Sequence, residues 1–477
     1  MRNERRILVN TGAFALGEAV GQLANFIFLA FFARLFGAGI LAQYSIGMSV
    51  GALLALFVDL GSIGFVTRES ARGRGRGRML IGTLLPLQLP LALLLWGIGI
   101  LIGAALSGRQ PGLAVLASAC GYQILVSIAG LIFAPFIATE QFGWAALAGA
   151  AYRLLALPLG ALAVLAGAGP GLTSASLLVS VGVVLLGGLA LFARRFGMPR
   201  WRASPRRVVA ILYRGSAFLG LRMLNVVYSR AGLIILGALA SPVTVGLFAV
   251  ADRIIVAPGL LPIMFVNVVY PTLSRLANVS ADEVRALTIR CGRLLLLGTI
   301  PLATLITLTA SEIVEWLFGH RFSPAAAVLQ IFAWSLPLAS TRQLLGAQLL
   351  ALDRGTTLVR TRALGVTVLL VSCPILILSG AGFKGPAWAL LIAESLELAA
   401  CLALLRRSGI PRALARTMLA PLLAAAATFA VAATVWVPAP GLGRSLILCV
   451  VMLLALLISG SVRAHDLRFL RQILARG

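Results

Sequence analysis

Acidic residues are scarce in this chain: 14 Asp and Glu stand against 40 Lys and Arg among 477 residues. Charge of either sign is thin, at 11% of positions, where a soluble domain carries about 25%. So few charges cannot cover a water-facing surface. Histidine occurs only at His320 and His465, which leaves little for a histidine-based zinc centre or catalytic triad. The five cysteines (Cys120, Cys291, Cys373, Cys401 and Cys449) are isolated, lie in or beside apolar runs and form no C-x-x-C pair. They read as small buried hydrophobes, not as disulfides or metal ligands. No Walker sequence is present, which excludes P-loop ATP hydrolysis. Long polar connections are missing too, so no room exists for a soluble domain between the apolar runs.

What the chain has is apolar residue in excess, at 60% hydrophobic. Runs of about 20 apolar residues recur, each long enough to cross a hydrocarbon layer of roughly 30 Å as a helix. Only helices or closed barrels pair all their backbone groups in lipid, and runs that do not alternate in polarity favour helices. The first run contains Glu18 and is followed by no small-residue cleavage site, so no cleavable signal peptide is expected. Fourteen spans are predicted, near 9–34, 41–66, 79–106, 112–137, 142–166, 172–193, 215–239, 244–271, 289–310, 325–351, 357–380, 384–405, 413–436 and 442–462. With both termini placed inside, 30 of the basic residues fall in inner segments and their flanks, five outside and five within spans. That asymmetry orients the protein by the positive-inside rule and places it in the cytoplasmic membrane as a multi-pass protein.

The same asymmetry accounts for the Arg-Gly run between Arg68 and Leu80, the first inner loop. No aromatics interleave it to stack bases, so nucleic acid is not an expected partner. Attraction to anionic lipid is compatible with it. Two connections are longer than the rest: Arg194–Arg214, which divides spans 1–6 from 7–14, and Thr272–Thr288, whose mixed charges suggest a short surface helix. The letters GMSVG (Gly47–Gly51) match a hydrolase nucleophile elbow. They lie inside a predicted span without a histidine nearby, and read better as G-x-x-x-G helix packing, like Gly17/Gly21 and Gly99/Gly103.

A weak internal repeat relates span 7 to span 1 at an offset of 204, superposing Ala13–Phe14 on Ala217–Phe218. Each of these spans carries a polar stripe on one helix face. In span 1 it is Thr11, Glu18, Gln22 and Asn25; in span 7 it is Arg222, Asn225 and Ser229, with Arg230 alongside. Charges cost on the order of 2.5–3.5 kcal/mol at a membrane centre, so these side chains are expected to face water or partners. A hydrated cleft between two halves meets that need; a structural Glu18–Arg222 pair is the alternative. Arg153, Arg342, Asp252 and Arg253 add charge from spans 5, 10 and 8, and Glu394 and Glu397 share one face of span 12. Asp59 is a candidate partner of Arg68. The arginines, with Asn25 and Asn225, are candidate anion-binding residues, since guanidinium suits phosphate. Glu18, Asp252, Glu394 and Glu397 are candidates for binding H+ or Na+. No catalytic set, metal-ligand set or cofactor motif emerges.

The fold class expected is all-α integral membrane, with about 14 transmembrane helices: an N-lobe over 1–200, a C-lobe over 201–411, and two further helices with a basic cytoplasmic tail over 412–477. Several segments carry a resemblance: Asn10, ARLFG (Ala33–Gly37), Tyr44, DLG (Asp59–Gly61), Arg68 with Ala71, VGLFAVADRI (Val245–Ile254) and LFGHRFSPAA (Leu317–Ala326). With them the chain resembles bacterial oligosaccharide-lipid flippases. These form the polysaccharide-transport branch of the multidrug/oligosaccharidyl-lipid/polysaccharide exporter superfamily. Gln43 departs from the glycine common before the tyrosine. The resemblance implies a V-shaped bundle of two six-helix lobes, alternating access, and a polyprenyl-pyrophosphate-linked oligosaccharide as cargo. The resemblance assigns no binding residue; polysaccharide polymerase and glycosyltransferases are the expected protein partners. A drug or cation exporter of the same superfamily remains an alternative, as does a membrane glycosyltransferase or ligase.

Overall fold

The computed structural model describes residues 2–107, 112–199, 205–434 and 442–458. No strand occurs among them. The chain divides into two compact units, Met1–Ala249 and Val250–Gly477.

The first unit begins with α1 (Arg2–Asp59), a run of 58 residues broken at Gly37, where φ 78 and ψ 179 leave the helical region. Its apolar part, Gly17–Asp59, is 43 residues long, about 65 Å if straight and twice what one crossing needs. The glycine break turns it into two. After α2 (Ser62–Ala71) come α3 (Arg74–Ser107), α4 (Leu113–Ala138), α5 (Phe142–Leu165), α6 (Pro170–Phe196) and α7 (Pro205–Leu239). Helix α4 is the centre, packed by α1, α3 and α6. Its contact with α1 is backbone-close: a Cβ on Gly47 would lie 2.5 Å from Leu116 O, and one on Gly51 2.7 Å from Cys120 O. The G-x-x-x-G reading of that segment therefore holds. One end of the unit is sealed by Phe133, Phe136, Phe192 and Phe196, the last meeting Phe136 edge-on at 5.0 Å. Helix α7 lies against α1, α2 and α3.

Helix α8 (Pro242–Ala277) carries the boundary between the units. The second unit continues with α9 (Ala281–Leu308), α10 (Ala310–Phe318), α11 (Ala326–Ala333), α12 (Ser335–Ala351), α13 (Gly355–Leu376), α14 (Gly385–Leu404), α15 (Ile410–Thr434) and α16 (Leu442–Ile458). Its core joins Leu296, Ile300, Leu345, Leu349, Cys401, Leu414 and Met452 from five of these helices. Between α13 and α14 the chain passes through a π turn and a 3₁₀ turn, with Gly380 at φ 102 and Gly382 at φ 53.

Eleven helical stretches among the described residues are long and apolar enough to cross a membrane. Gly17–Asp59 and Gly355–Leu404 each hold two of the predicted spans, and α16 adds a shorter apolar helix, so the fourteen are accounted for. Leu101, Leu165, Leu186 and Leu378 stand more than two-thirds exposed, as lipid-facing side chains do. One connection differs from expectation. The surface helix predicted in Thr272–Thr288 does not form, because α8 runs on to Ala277 and α9 starts at Ala281. The connection between the predicted spans 289–310 and 325–351 is helical as well, formed by α10 and a 3₁₀ turn (His320–Ala325).

Candidate functional site

Among the described residues, ionic clusters stand inside membrane-crossing elements, and those that follow draw their members from different helices.

The first joins α1 to α5. Glu18 accepts from Gln22 Nε2 at 2.8 Å, one helical turn on, and from Arg153 Nη1 at 3.0 Å. The Gly17/Gly21 pair makes the approach feasible: a Cβ on Gly21 would sit 2.8 Å from Arg153 Nη1. The guanidinium also lies 5.2 Å from the centre of the Tyr152 ring, and Tyr152 meets Tyr122 edge-on at 5.9 Å. Asn25, on the same stripe, has a buried Oδ1 that receives no hydrogen bond among the described residues.

The second centres on Asp59, 1% exposed. Its Oδ1 accepts from Ser62 Oγ at 3.1 Å and Ile63 N at 2.9 Å, while Oδ2 pairs with Arg222 Nη1 of α7. The DLG segment explains the geometry. Leu60 (φ 47) and Gly61 (φ 76) are both left-handed, a reversal that swings the start of α2 back over the carboxylate. Arg68, the partner expected for Asp59, instead reaches Glu69 at 3.7 Å; Glu69 also gathers Arg72 at 2.9 Å and Arg76 at 2.8 Å. The Arg-Gly run is thus partly neutralised by a single carboxylate. Arg222, Asn225 and Ser229 are all exposed, as their common stripe requires, and the Arg222 side chain is 45% exposed despite its buried partner.

The third lies in the second unit. Arg342 of α12 donates to Glu394 at 2.6 Å and Glu397 at 3.5 Å, both on α14; Arg362 of α13 donates to Glu397 at 2.9 Å. Glu397 is fully buried and Arg362 8% exposed. Two cations and two anions balance, which is what a low-dielectric interior demands. A cation at either carboxylate would have to displace a guanidinium.

The structure thus corrects the pairings anticipated from the sequence. Glu18 binds Arg153, not Arg222, because residues at equivalent positions of two repeats need not touch. Arg362, within the predicted span 357–380, is not among the candidate residues of the sequence; it lies inside α13 and pairs with Glu397. Arg230, Asp252 and Arg253 are half-buried on α7 and α8. Among the described residues, no group of His, Cys, Asp and Glu is arranged to hold a metal. An apolar groove of about 670 Å³ runs between α9, α12, α14 and α15, walled by Leu296, Trp388, Leu414 and Met418.

A helical membrane protein with ion pairs buried across its spans is the class that the fold and these clusters define. The chain belongs to the polysaccharide biosynthesis protein family, whose model matches residues 7–277. Its fold is similar to that of a lipid II flippase MurJ in an inward closed conformation (TM-score 0.78, 13% identity, 96% of this chain and 99% of that one). It is also similar to an inward-facing multidrug resistance MATE family transporter of the MOP superfamily (TM-score 0.65, 15% identity, 83% and 95%). A MOP superfamily transporter from Pyrococcus furiosus shares the fold as well (TM-score 0.54, 16% identity, 86% and 96%). No curated protein matches it.

Proposed function

We propose that this protein is a flippase that moves a polyprenyl-pyrophosphate-linked oligosaccharide across the cytoplasmic membrane for surface polysaccharide synthesis. It works by alternating access, coupled to a proton or sodium gradient, with both termini cytoplasmic. Glycosyltransferases supply its cargo and a polymerase consumes it.

The observation that carries this reading is Arg222. Its side chain is half-exposed within a membrane-crossing helix while Asp59 holds one nitrogen, leaving the rest of the planar fork for a phosphate oxygen. Exposed Asn225 and half-buried Arg230 stand on the same helix. A sugar and a pyrophosphate lose their water unless replacements of this kind are offered. Arg253, Arg153, Arg342 and Asn25 are assigned supporting contacts, and Glu18, Asp252, Glu394 and Glu397 the ion-linked carboxylates. The apolar groove of the second unit suits a prenyl chain. The MurJ-like fold and the family membership support a lipid-linked cargo over a drug.

The test is glycan export in a strain depending on this chain alone, with Arg222→Ala and Arg230→Ala. Each variant is expected to accumulate in the membrane and to lose most export. Full export by both would overturn the site, and flipping that persists after both gradients are collapsed would overturn the coupling.

A further inference from the structure

A single polar side chain interrupts the apolar run 84–91 of α3: Gln88, set between Pro86 and Pro90. It is 4% exposed. An amide buried in an apolar layer is costly unless its N–H groups find acceptors. Gln88 Nε2 donates to Ser62 Oγ at 2.9 Å, and Ser62, the first residue of α2, is itself fully buried.

Chemistry fixes the direction of each bond that follows. The Ser62 hydroxyl donates its one proton to Asp59 Oδ1 at 3.1 Å. Toward Gln88 it can therefore only accept, so the amide must present its nitrogen and not its oxygen. Asp59 Oδ1 also accepts from Ile63 N at 2.9 Å, which fills its two lone pairs. Only Oδ2 remains to face α7, and there it pairs with Arg222. A chain of hydrogen bonds thus crosses four helices of the first unit: Gln88 of α3, Ser62 of α2, Asp59 of α1 and Arg222 of α7.

Every member but the last is buried, whereas the Arg222 side chain is 45% exposed. Arginine has much rotamer freedom to lose, and a group already held in place binds at lower entropic cost. The buried part of the chain fixes the direction of an exposed fork. We propose that Gln88, acting through Ser62 and Asp59, is a positioning residue for Arg222 and thereby raises its affinity for phosphate. Gln88 itself touches no cargo. The link to phosphate rests on the function proposed above; the positioning does not.

The experiment takes two readouts on the purified full chain in neutral detergent. The first is modification by phenylglyoxal, followed at each arginine by mass spectrometry, which reports how firmly a guanidinium is held with no cargo present. Gln88→Met and Ser62→Ala are each expected to raise the rate at Arg222 about three- to tenfold, the range one hydrogen bond accounts for. Arg153 and Arg362 are expected to react as before. Ser62→Thr, which keeps the hydroxyl, is expected to keep the wild-type rate. The second readout is binding of farnesyl pyrophosphate, with farnesol as the uncharged control. Gln88→Met and Ser62→Ala are expected to weaken the pyrophosphate by a similar factor, to spare farnesol, and to add nothing in an Arg222→Ala background. Unchanged labelling of Arg222 in both variants overturns the proposal, and so does an equal rise at all three arginines, the mark of general loosening. Pyrophosphate binding that falls in Arg222→Ala but in neither of the two variants overturns it as well. Labelling that rises at Arg222 alone, while Arg222→Ala binds farnesyl pyrophosphate as wild type does, upholds the positioning and overturns the phosphate reading instead.

Discussion

Arg362 donates to Glu397 at 2.9 Å while both are nine-tenths buried or more, and Arg342 reaches the other oxygen of the same carboxylate at 3.5 Å. One acidic side chain therefore links α12, α13 and α14. Removing a single partner from such a group leaves a buried charge uncompensated, a cost of about 3–5 kcal/mol. Glu397→Gln is expected to lower the thermal midpoint of the purified protein sharply. Glu397→Leu combined with Arg362→Leu is expected to recover much of the loss. Equal destabilisation by the single and the double change would mean that packing, not charge, dominates here.

The Glu18–Arg153 pair is more open, with Glu18 at 37% side-chain exposure. Its loss is expected to affect function more than stability. Arg153→Ala removes a charge-assisted hydrogen bond, about 1.5–3 kcal/mol, and export is expected to fall on the order of tenfold or more with the protein still present in membranes. Arg153→Lys keeps the charge without the fork and is expected to fall between. Quantitative export per unit of membrane-inserted protein decides.

Gly47 and Gly97 give a contrast in packing. A side chain on Gly47 runs into the Leu116 carbonyl, whereas a Cβ on Gly97 meets nothing within 4 Å. Gly47→Ala is expected to destabilise by about 1–3 kcal/mol, as overpacking does. Gly97→Ala is expected to be neutral or to stabilise by up to about 1 kcal/mol through helix propensity. Thermal unfolding of the two single variants checks the pair.

Outside the spans, Glu315 accepts from Ser323 Oγ at 2.7 Å and lies 3.2 Å from His320 Nδ1. The serine hydrogen bond, with His320 adding to it, holds its carboxyl below the usual carboxylate range. A lowered folded-state value contributes stability above the ordinary carboxylate range, lost as pH falls through Glu315's own lower range. Amide protection over 319–325, taken relative to the intrinsic exchange rate at each pH, is expected to fall on acidification through that window, and Glu315→Gln to abolish the change. The glutamate is solvent-exposed, so the effect is local.

Much of this architecture was legible in the sequence because lipid leaves few choices. Continuous apolar runs gave the spans, and Gly47/Gly51 marked a close helix contact without naming α4 as the partner. Periodicity also placed Glu18 with Gln22, and Arg222 with Asn225 and Ser229, on common faces. It could not say which helix each face meets. Hence the Glu18–Arg222 pair that the repeat offers as an alternative does not form, and Arg153, remote in sequence, is the partner of Glu18. Arg68 is a candidate partner of Asp59 by nearness in sequence, whereas the structure pairs Asp59 with Arg222 of α7, beyond the left-handed Leu60–Gly61 turn. Arg362 carries no signal of its own in the sequence, and only the packing of α13 on α14 brings it beside Glu397. Partner choice follows from how helices are arranged around one another, which a one-dimensional pattern does not encode.

The break at Gly37 has a companion on α8. Beside it, Ala38 presents its carbonyl to Gly246 so closely that a Cβ on that glycine would fall 2.0 Å from the oxygen. Main chain meets main chain there, so no rotamer can absorb an added atom, and even a methyl would have to displace an entire helix. The hairpin tip of α1 is therefore riveted to the start of α8 by the absence of atoms, and this corner tolerates far less sequence drift than the greasy walls around it.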